Sequence, residues 1–197
     1  MNQSFDIIII GTGIVGLTCA AAFNNRLFKT AIISLSPFNE QPITRSFSNR
    51  VSAITPASQH IFEHLNVWDD IKKSRLSPYS AMQVWDAESS GDIQFTSKMV
   101  GADCLGHIIE NDIMHNALYH QIKNSRIEVI APSKLIKLIE KKDKCLLETA
   151  SHGTLSARLI IGADGHHSWL RKQSDIGEKT HDYGQHAIVT TLSLIHI

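Results

Sequence analysis

The sequence predicts an α/β fold: a βαβ core that is interrupted by antiparallel material and then resumed, as in a discontinuous dinucleotide domain with a second domain threaded through it. Three observations carry this. The apolar run at residues 7–10 leads directly into Gly11-Thr12-Gly13-Ile14-Val15-Gly16, the glycine spacing of a strand that turns into a helix against a dinucleotide phosphate. Residues 82–85 and 93–95 read as two short strands around Ser89-Ser90-Gly91-Asp92, a hairpin belonging to a different sheet. Towards the other end, the apolar run 159–161 delivers Gly162-Ala163-Asp164-Gly165, a second strand-to-glycine junction.

Taken in order, residues 6–10 form a short run that is β-branched and apolar after Asp6, as befits a strand buried on both faces. Residues 14–27 follow as a helix and 30–34 as a second strand, which closes a βαβ unit. Residues 36–50 carry Pro37, Pro42 and several Ser and Asn residues, and read as loop. Residues 55–65 are helical in pattern, with Ile61, Phe62 and Leu65 on one side. The character changes after Leu76-Ser77-Pro78, where the hairpin begins. Helical periodicity returns at 111–122, and strand-like runs follow at 127–130, 134–139 and 145–149 before the last apolar strand at 159–161. There is no internal repeat and no low-complexity tract.

With 197 residues, 43% of them hydrophobic and 19% charged, the chain can bury one good core, or one domain plus the beginning of another. Nineteen basic residues balance nineteen acidic ones, which removes any whole-chain electrostatic case for nucleic acid. Cys19, Cys104 and Cys145 are odd in number, widely spaced and without a CxxC, a usage that suits a reducing cytosol. Residues 7–23 loosely resemble a signal peptide. Yet Asp6 rather than Lys or Arg precedes them and three glycines cut the run, so a buried strand turning into a buried helix explains them better.

In the first turn Gly11 permits the tight reversal, Gly13 lets the backbone approach a pyrophosphate, and Gly16 lets the helix pack closely on the strand. The helix start, from Ile14, then offers free N–H groups and a partial positive charge to the phosphates. A carboxylate usually ends the second strand of such a unit and takes the ribose hydroxyls; here that position is Ser34. Serine keeps one hydrogen bond and loses the charged two-point contact, at a cost on the order of 1–2 kcal/mol of binding. Glu40, in the loop, is the candidate to compensate. In the second motif Asp164 sits at the carboxyl end of a strand, where ligands bind in these sheets. Gly165 permits close approach, Ser168 is placed to cap a short helix, and Arg171 lies one turn in, within reach of a phosphate. The bland reading of this motif is an ordinary Asp turn. Each motif alone is weak; together they point to a protein that holds a flavin dinucleotide and reduces it with a nicotinamide.

Two further positions stay open between readings. Asn111 either caps the helix that follows it or reaches a pyrophosphate from the same place. Arg50 is either a surface charge or a cofactor contact. His60-Ile61-Phe62-Glu63-His64 matches the HxxEH spacing of a zinc protease family, but no third ligand accompanies it and the segment fits an amphipathic helix, so no metal is assigned.

GTGIVG, RVSAITPAS with LNVWDDI (residues 50–71), MQVWD, LGHIIEN and ARLIIGADGHHSWLR together resemble the FAD-dependent hydroxylases of ubiquinone biosynthesis, almost end to end from residue 6 to about 191. LGHIIEN and SWLRKQSDI look most like the 2-polyprenylphenol 5-hydroxylase branch. The resemblance implies a Rossmann-like FAD-binding domain of the glutathione-reductase type, interrupted by part of an antiparallel substrate domain. The divisions it implies are 1–75 and 98–176 for the FAD-binding domain, 76–97 for a substrate-domain hairpin, and 177–197 for the start of the remaining substrate domain. It implies FAD as cofactor, NAD(P)H as reductant, O2 as co-substrate and a polyprenylated phenol as the group hydroxylated. Carried over by position, Gly11, Gly13, Ile14 and Gly16 hold the ADP half, Arg50 and Asn111 contact the cofactor, and Asp164 and Gly165 serve both FAD and NAD(P)H. Ser34 departs from the family's acidic residue, and no catalytic acid or base is visible. Residues 192–197 do not continue the match, and the Gly-Asp motif of the family's second half is missing, so the expectation is an N-terminal fragment, inactive alone. A cytoplasmic protein is expected, with peripheral contact to the inner membrane and a ubiquinone-biosynthesis complex as further partners. The other readings are a non-catalytic nucleotide-binding fragment and a related flavoenzyme, a prenyl reductase or a halogenase, although the WxWxIP segment of halogenases is absent.

Overall fold

A computed structural model of the chain describes residues 3–24 and 27–190. In chain order the elements are β1 (Gln3–Ile10), α1 (Ile14–Ala22), β2 (Thr30–Ile33), β3 (Val51–Ile54), α2 (Pro56–His64), α3 (Trp68–Lys72), β4 (Leu76–Tyr79), β5 (Ala81–Trp85) and β6 (Asp92–Thr96). A 3-10 turn (Ser97–Val100) precedes β7 (Gly106–Glu110), α4 (Asn111–Lys123), β8 (Glu128–Ile130), β9 (Leu135–Glu140), β10 (Cys145–Thr149), β11 (Gly153–Gly162) and α5 (Trp169–Gln173). They form two compact units, one from the stretches up to Gln41 and from Leu118 to Ile188, the other from Pro42 to Ala117.

The first unit holds a sheet of order β8-β2-β1-β11-β10-β9. β8, β2, β1 and β11 run parallel, and β10 and β9 add an antiparallel edge. Ile7 to Ile10 are all buried because both faces of β1 are covered. Ile8 and Ile10 join Ala31, Ile33, Ile130, Leu147 and Leu155 in one core, against which Trp169 and Leu170 of α5 pack. α1 packs on β1 and β2 and buries Leu17, Ala20 and Ala21. Each fully buried Ile or Leu side chain of this set contributes roughly 1.5–3 kcal/mol of transfer free energy.

β3, α3, β4 and β7 have no counterpart among the elements expected from the sequence, and two expected elements differ in extent. α1 ends at Ala22 rather than at Leu27, with the Phe23 N–H closing back on Cys19 and Ala20 carbonyls; Asn24, a poor helix former, follows at once. β11 is ten residues long rather than three, because β10 pairs with Gly153–Ala157 from one side while β1 pairs with Leu155–Gly162 from the other.

The second unit contains an antiparallel sheet of order β3-β7-β4 and the separate β5–β6 hairpin. A Cβ at Gly106 would lie 2.3 Å from the Ile54 carbonyl oxygen, so glycine is what lets β3 and β7 close there. Thr55 caps α2, accepting from the Ser58 N–H at 3.4 Å, with Pro56 opening the helix. No helix among the described residues is long and apolar enough to cross a membrane.

Candidate functional site

The two glycine motifs lie side by side. β1 and β11 are adjacent and parallel, in a register that sets Ile10 opposite Gly162. Both strands therefore end flush, and the Ala163 N–H donates to the Ile10 carbonyl at 2.8 Å. The Gly11 N–H in turn donates to the Ile33 carbonyl at 2.8 Å, tying the turn to β2 as well.

The three glycines of the first turn are under different constraints. Gly11 has φ +111°, and a Cβ there would sit 2.3 Å from the Ala163 oxygen and 2.9 Å from the Asp164 nitrogen. A Cβ at Gly16 would sit 1.9 Å from the Gly11 oxygen. At Gly13 a Cβ would meet nothing within 4 Å. Gly13 is the N-cap of α1, with ordinary extended backbone (φ −71°, ψ 174°) and no side-chain cap on the helix. Ile14 opens that helix, its carbonyl accepting from the Thr18 hydroxyl at 2.7 Å. The result is an exposed backbone surface at a helix N-terminus, the arrangement that receives a pyrophosphate.

The Asp164 carboxylate is hydrogen-bonded within its own turn. Its carboxylate accepts from the Trp169 N–H at 2.6 Å, the Leu170 N–H at 3.2 Å and the Ser168 hydroxyl at 2.5 Å. It is the acceptor for the start of α5, which the Ser168 hydroxyl also caps through the Arg171 N–H at 3.0 Å. Gly165, with φ +83° and open space at its Cβ position, makes the turn possible. A cleft of about 450 Å³ opens here, lined by Gly162, Asp164, Gly165, Ser168 and Arg171 among others. The Arg171 guanidinium donates to the His166 carbonyl at 2.6 Å and pairs with Glu178, so within this turn it is occupied by protein partners.

Ser34 follows directly on β2, half-buried, its hydroxyl accepting from the Ser36 N–H at 3.2 Å. Glu40 contacts His120, Oε1 to Nε2, at 3.2 Å. Burial pushes the thiol of Cys19 on α1 above its ordinary pKa. A larger cleft, of about 500 Å³, lies among Asp6, Phe23, Phe28, Lys142, Lys144 and Arg158. It flanks the middle of β1 and β11 rather than their carboxyl ends, where nucleotides bind in such sheets.

Arg50 and Asn111 belong to the other compact unit, where they are neighbours. The Asn111 N–H donates to the Arg50 carbonyl at 2.9 Å. The Ser52 hydroxyl donates to the Asn111 carboxamide oxygen at 2.7 Å, so the amide donors are what Asn111 has to offer an anion. The Arg50 side chain is exposed. Sequence reasoning missed the groups around them. Glu110, buried, receives both Arg75 and the Ser48 N–H, and its only sequence signal is its place beside Asn111 in LGHIIEN. His60 and His64 are exposed on α2, and among the described residues no three His, Cys, Asp or Glu side chains come together as a metal-ion site.

The sequence profile of the family described as FAD binding domain matches residues 4–193. The mitochondrial ubiquinone biosynthesis monooxygenase COQ6 of Xenopus tropicalis is 33% identical over 205 residues, which cover 96% of this chain and 44% of the relative. COQ6 of Homo sapiens is 30% identical over 205 residues, covering 96% and 43%. The chain thus spans less than half the length of the curated relatives it matches. Among solved structures, PqsL of Pseudomonas aeruginosa, a probable FAD-dependent monooxygenase, superposes with a TM-score of 0.71 at 16% identity, covering 92% of this chain and 48% of its own. The flavin-dependent monooxygenase PieE, solved with FAD and substrate, gives 0.69 at 13% identity, covering 88% and 32%. At such identities the likeness is one of fold.

Proposed function

The chain belongs to the FAD binding domain family, and from that premise we propose that it supplies the FAD-binding part of a hydroxylase acting in ubiquinone biosynthesis. The observation that carries this is the flush meeting of the two glycine motifs at the carboxyl ends of β1 and β11. Gly13 presents bare backbone and α1 presents an uncapped N-terminus, which together suit the pyrophosphate of a dinucleotide. Ser34, which follows β2, is proposed to meet the ribose with one hydrogen bond. Arg50 and the Asn111 amide donors are proposed as further contacts with the cofactor. Gly165 gives the second turn its open backbone, while the Asp164 carboxylate holds α5 in place and so keeps that turn rigid.

The flavin, once bound, supplies redox chemistry with NAD(P)H as reductant and O2 as oxidant. The residues named here bind and orient the cofactor. The substrate proposed is a polyprenylated phenol, in keeping with the ubiquinone biosynthesis named for the COQ6 relatives. Peripheral contact with a membrane and membership of a biosynthetic complex belong to the same proposal.

The test is equilibrium titration of the full chain with FAD and with FMN, followed by anaerobic addition of NADPH to the flavin complex. FAD is expected to bind at least about tenfold more tightly than FMN, since FMN lacks the ADP half that the glycine turn receives. Equal affinities would sink the dinucleotide reading. A bound flavin that NADPH never bleaches would remove the reductant from the proposal and leave the cofactor.

A further inference from the structure

We propose that the Glu110–Arg75 ion pair is a positioning element for Arg50 and Asn111; the inference rests on the reading that those two residues contact the dinucleotide. The Glu110 side chain is 9% exposed and that of Arg75 31%. The pair is two-pronged: Arg75 Nε lies 2.9 Å from Oε1, and Nη2 donates to Oε2 at 3.1 Å. Oε2 also accepts the Ser48 N–H at 2.8 Å. The same guanidinium reaches on, donating from Nη1 to the Arg45 carbonyl at 3.1 Å and lying 5.0 Å from the centre of the Phe47 ring.

These contacts hold Arg45, Phe47 and Ser48, a stretch without helix or strand, against the end of β7. Two residues further on, the Arg50 N–H donates to the Ser48 hydroxyl at 3.2 Å, and its carbonyl accepts from Asn111. Asn111 is bonded directly to Glu110 along the chain. One carboxylate therefore fixes both neighbours: Asn111 through the backbone, and Arg50 through Ser48.

An ion pair between a buried carboxylate and a half-buried guanidinium is a weak source of net stability, because desolvation of the carboxylate offsets much of the attraction. Apolar residues of similar volume would pack this position at least as well. What they would not do is grip the Ser48 amide and the Arg45 carbonyl at once. The planar guanidinium fork and the carboxylate set the direction of the loop, and this directional constraint is what a cofactor-contacting arginine at its end requires.

The test is a double-mutant cycle on FAD affinity in the full chain, with Glu110→Gln, Arg50→Met and the double variant. Arg75→Lys and Arg75→Met repeat it from the other partner, and Ile71→Val, a buried change in the same unit, controls for stability alone. Glu110→Gln is expected to weaken FAD binding roughly tenfold, and to weaken it no further in the Arg50→Met background. Arg75→Lys should retain more affinity than Arg75→Met, and Ile71→Val should leave it unchanged. Additive effects, or an unchanged affinity alongside faster tryptic cutting after Arg45, would reduce the pair to a structural tie and overturn the proposal. If the chain binds FAD but Arg50→Met has no effect, the Arg50 contact fails and takes the positioning role with it. A chain that binds no FAD would instead fail at the cofactor reading.

Discussion

The three glycines of the first turn make a sharp experiment, because the structure assigns them different jobs. An alanine at Gly16 would place its Cβ 1.9 Å from the Gly11 oxygen, against a closest tolerable approach of about 3.0 Å. The start of α1 must then retreat from β1 by more than an ångström, an overpacking strain of roughly 1–3 kcal/mol. Gly11→Ala meets a similar clash with Ala163 and adds an unfavourable φ, worth a further 1–3 kcal/mol or so. For a chain of this size, about 3 kcal/mol lowers Tm by roughly 6–12 °C. Gly13→Ala meets nothing and keeps an allowed backbone, so its stability should stay within about 0.5 kcal/mol of the parent. Its methyl group nevertheless occupies the space a pyrophosphate would enter. Loss of one charge-assisted hydrogen bond there, about 1.5–3 kcal/mol, weakens binding roughly 10–100-fold. Thermal melts of the apo chain and FAD titrations by flavin fluorescence separate the two effects. A Gly13→Ala chain that melts like the parent and binds FAD equally well would refute the pyrophosphate assignment. One that melts as low as Gly16→Ala would refute the geometry beneath it.

Other substitutions probe the neighbouring groups. Ser34→Asp restores a carboxylate at the end of β2 and is expected to tighten FAD binding by about tenfold, the converse of the 1–2 kcal/mol loss expected for serine; unchanged or weaker binding in titration would remove Ser34 from the ribose site. Asp164→Ala strips three hydrogen bonds from the start of α5 and should cost about 1–2 kcal/mol in chemical denaturation, with Asp164→Asn costing less; an alanine variant as stable as the parent would contradict the capping role. Asp86, which accepts from the Glu88 N–H and the Ser89 hydroxyl at 2.9 Å each, has its carboxyl held below the usual aspartate pKa, first by the backbone bond and then by the hydroxyl. Its contribution to the β5–β6 turn is therefore present above the ordinary aspartate pKa and lost as pH falls through the lowered one. An NMR titration of Asp86 with its midpoint at the ordinary value would remove that contribution, and one above it would reverse the sign.

How far the molecule can be read from its residues depends on where the determining partners lie. Residues 6–34 disclose their βαβ unit because the signals are local: an apolar run, three glycines and a second β-branched run. β3, β4 and β7 disclose much less. Val51-Ser52-Ala53-Ile54 is an ordinary mixed tetrapeptide whose extension comes from pairing, Val51 with Glu110 and Ile54 with His107, on a strand more than fifty residues away. The same holds for Leu76–Tyr79, which pairs across to Ile109 and Gly106 and carries a proline besides. At the candidate site, spacing locates Asp164 but not the direction of its carboxylate. That direction is set by the Trp169 and Leu170 amides, which reach it only once α5 has formed. Glu110 was hidden for a related reason: its partners, Arg75 and Ser48, are separated from it by long stretches of chain.

The register between β1 and β11 explains two of the three glycines in the motif, Gly11 and Gly16. With Ile10 opposite Gly162, the chain leaving β11 passes directly under the first turn, and the Ala163 carbonyl fills the space a Gly11 side chain would take. A slip of one residue would free that space, but it would also undo the flush ends of the two strands and the hydrogen bond from the Ala163 N–H to the Ile10 carbonyl. Gly11 is thus demanded by the second motif, and Gly16 by Gly11, whose carbonyl lies against the helix. Only Gly13 is left without a protein neighbour. Gly13 opens a helix that no side chain caps, and the room left at its Cβ position is the basis of the pyrophosphate contact proposed for it.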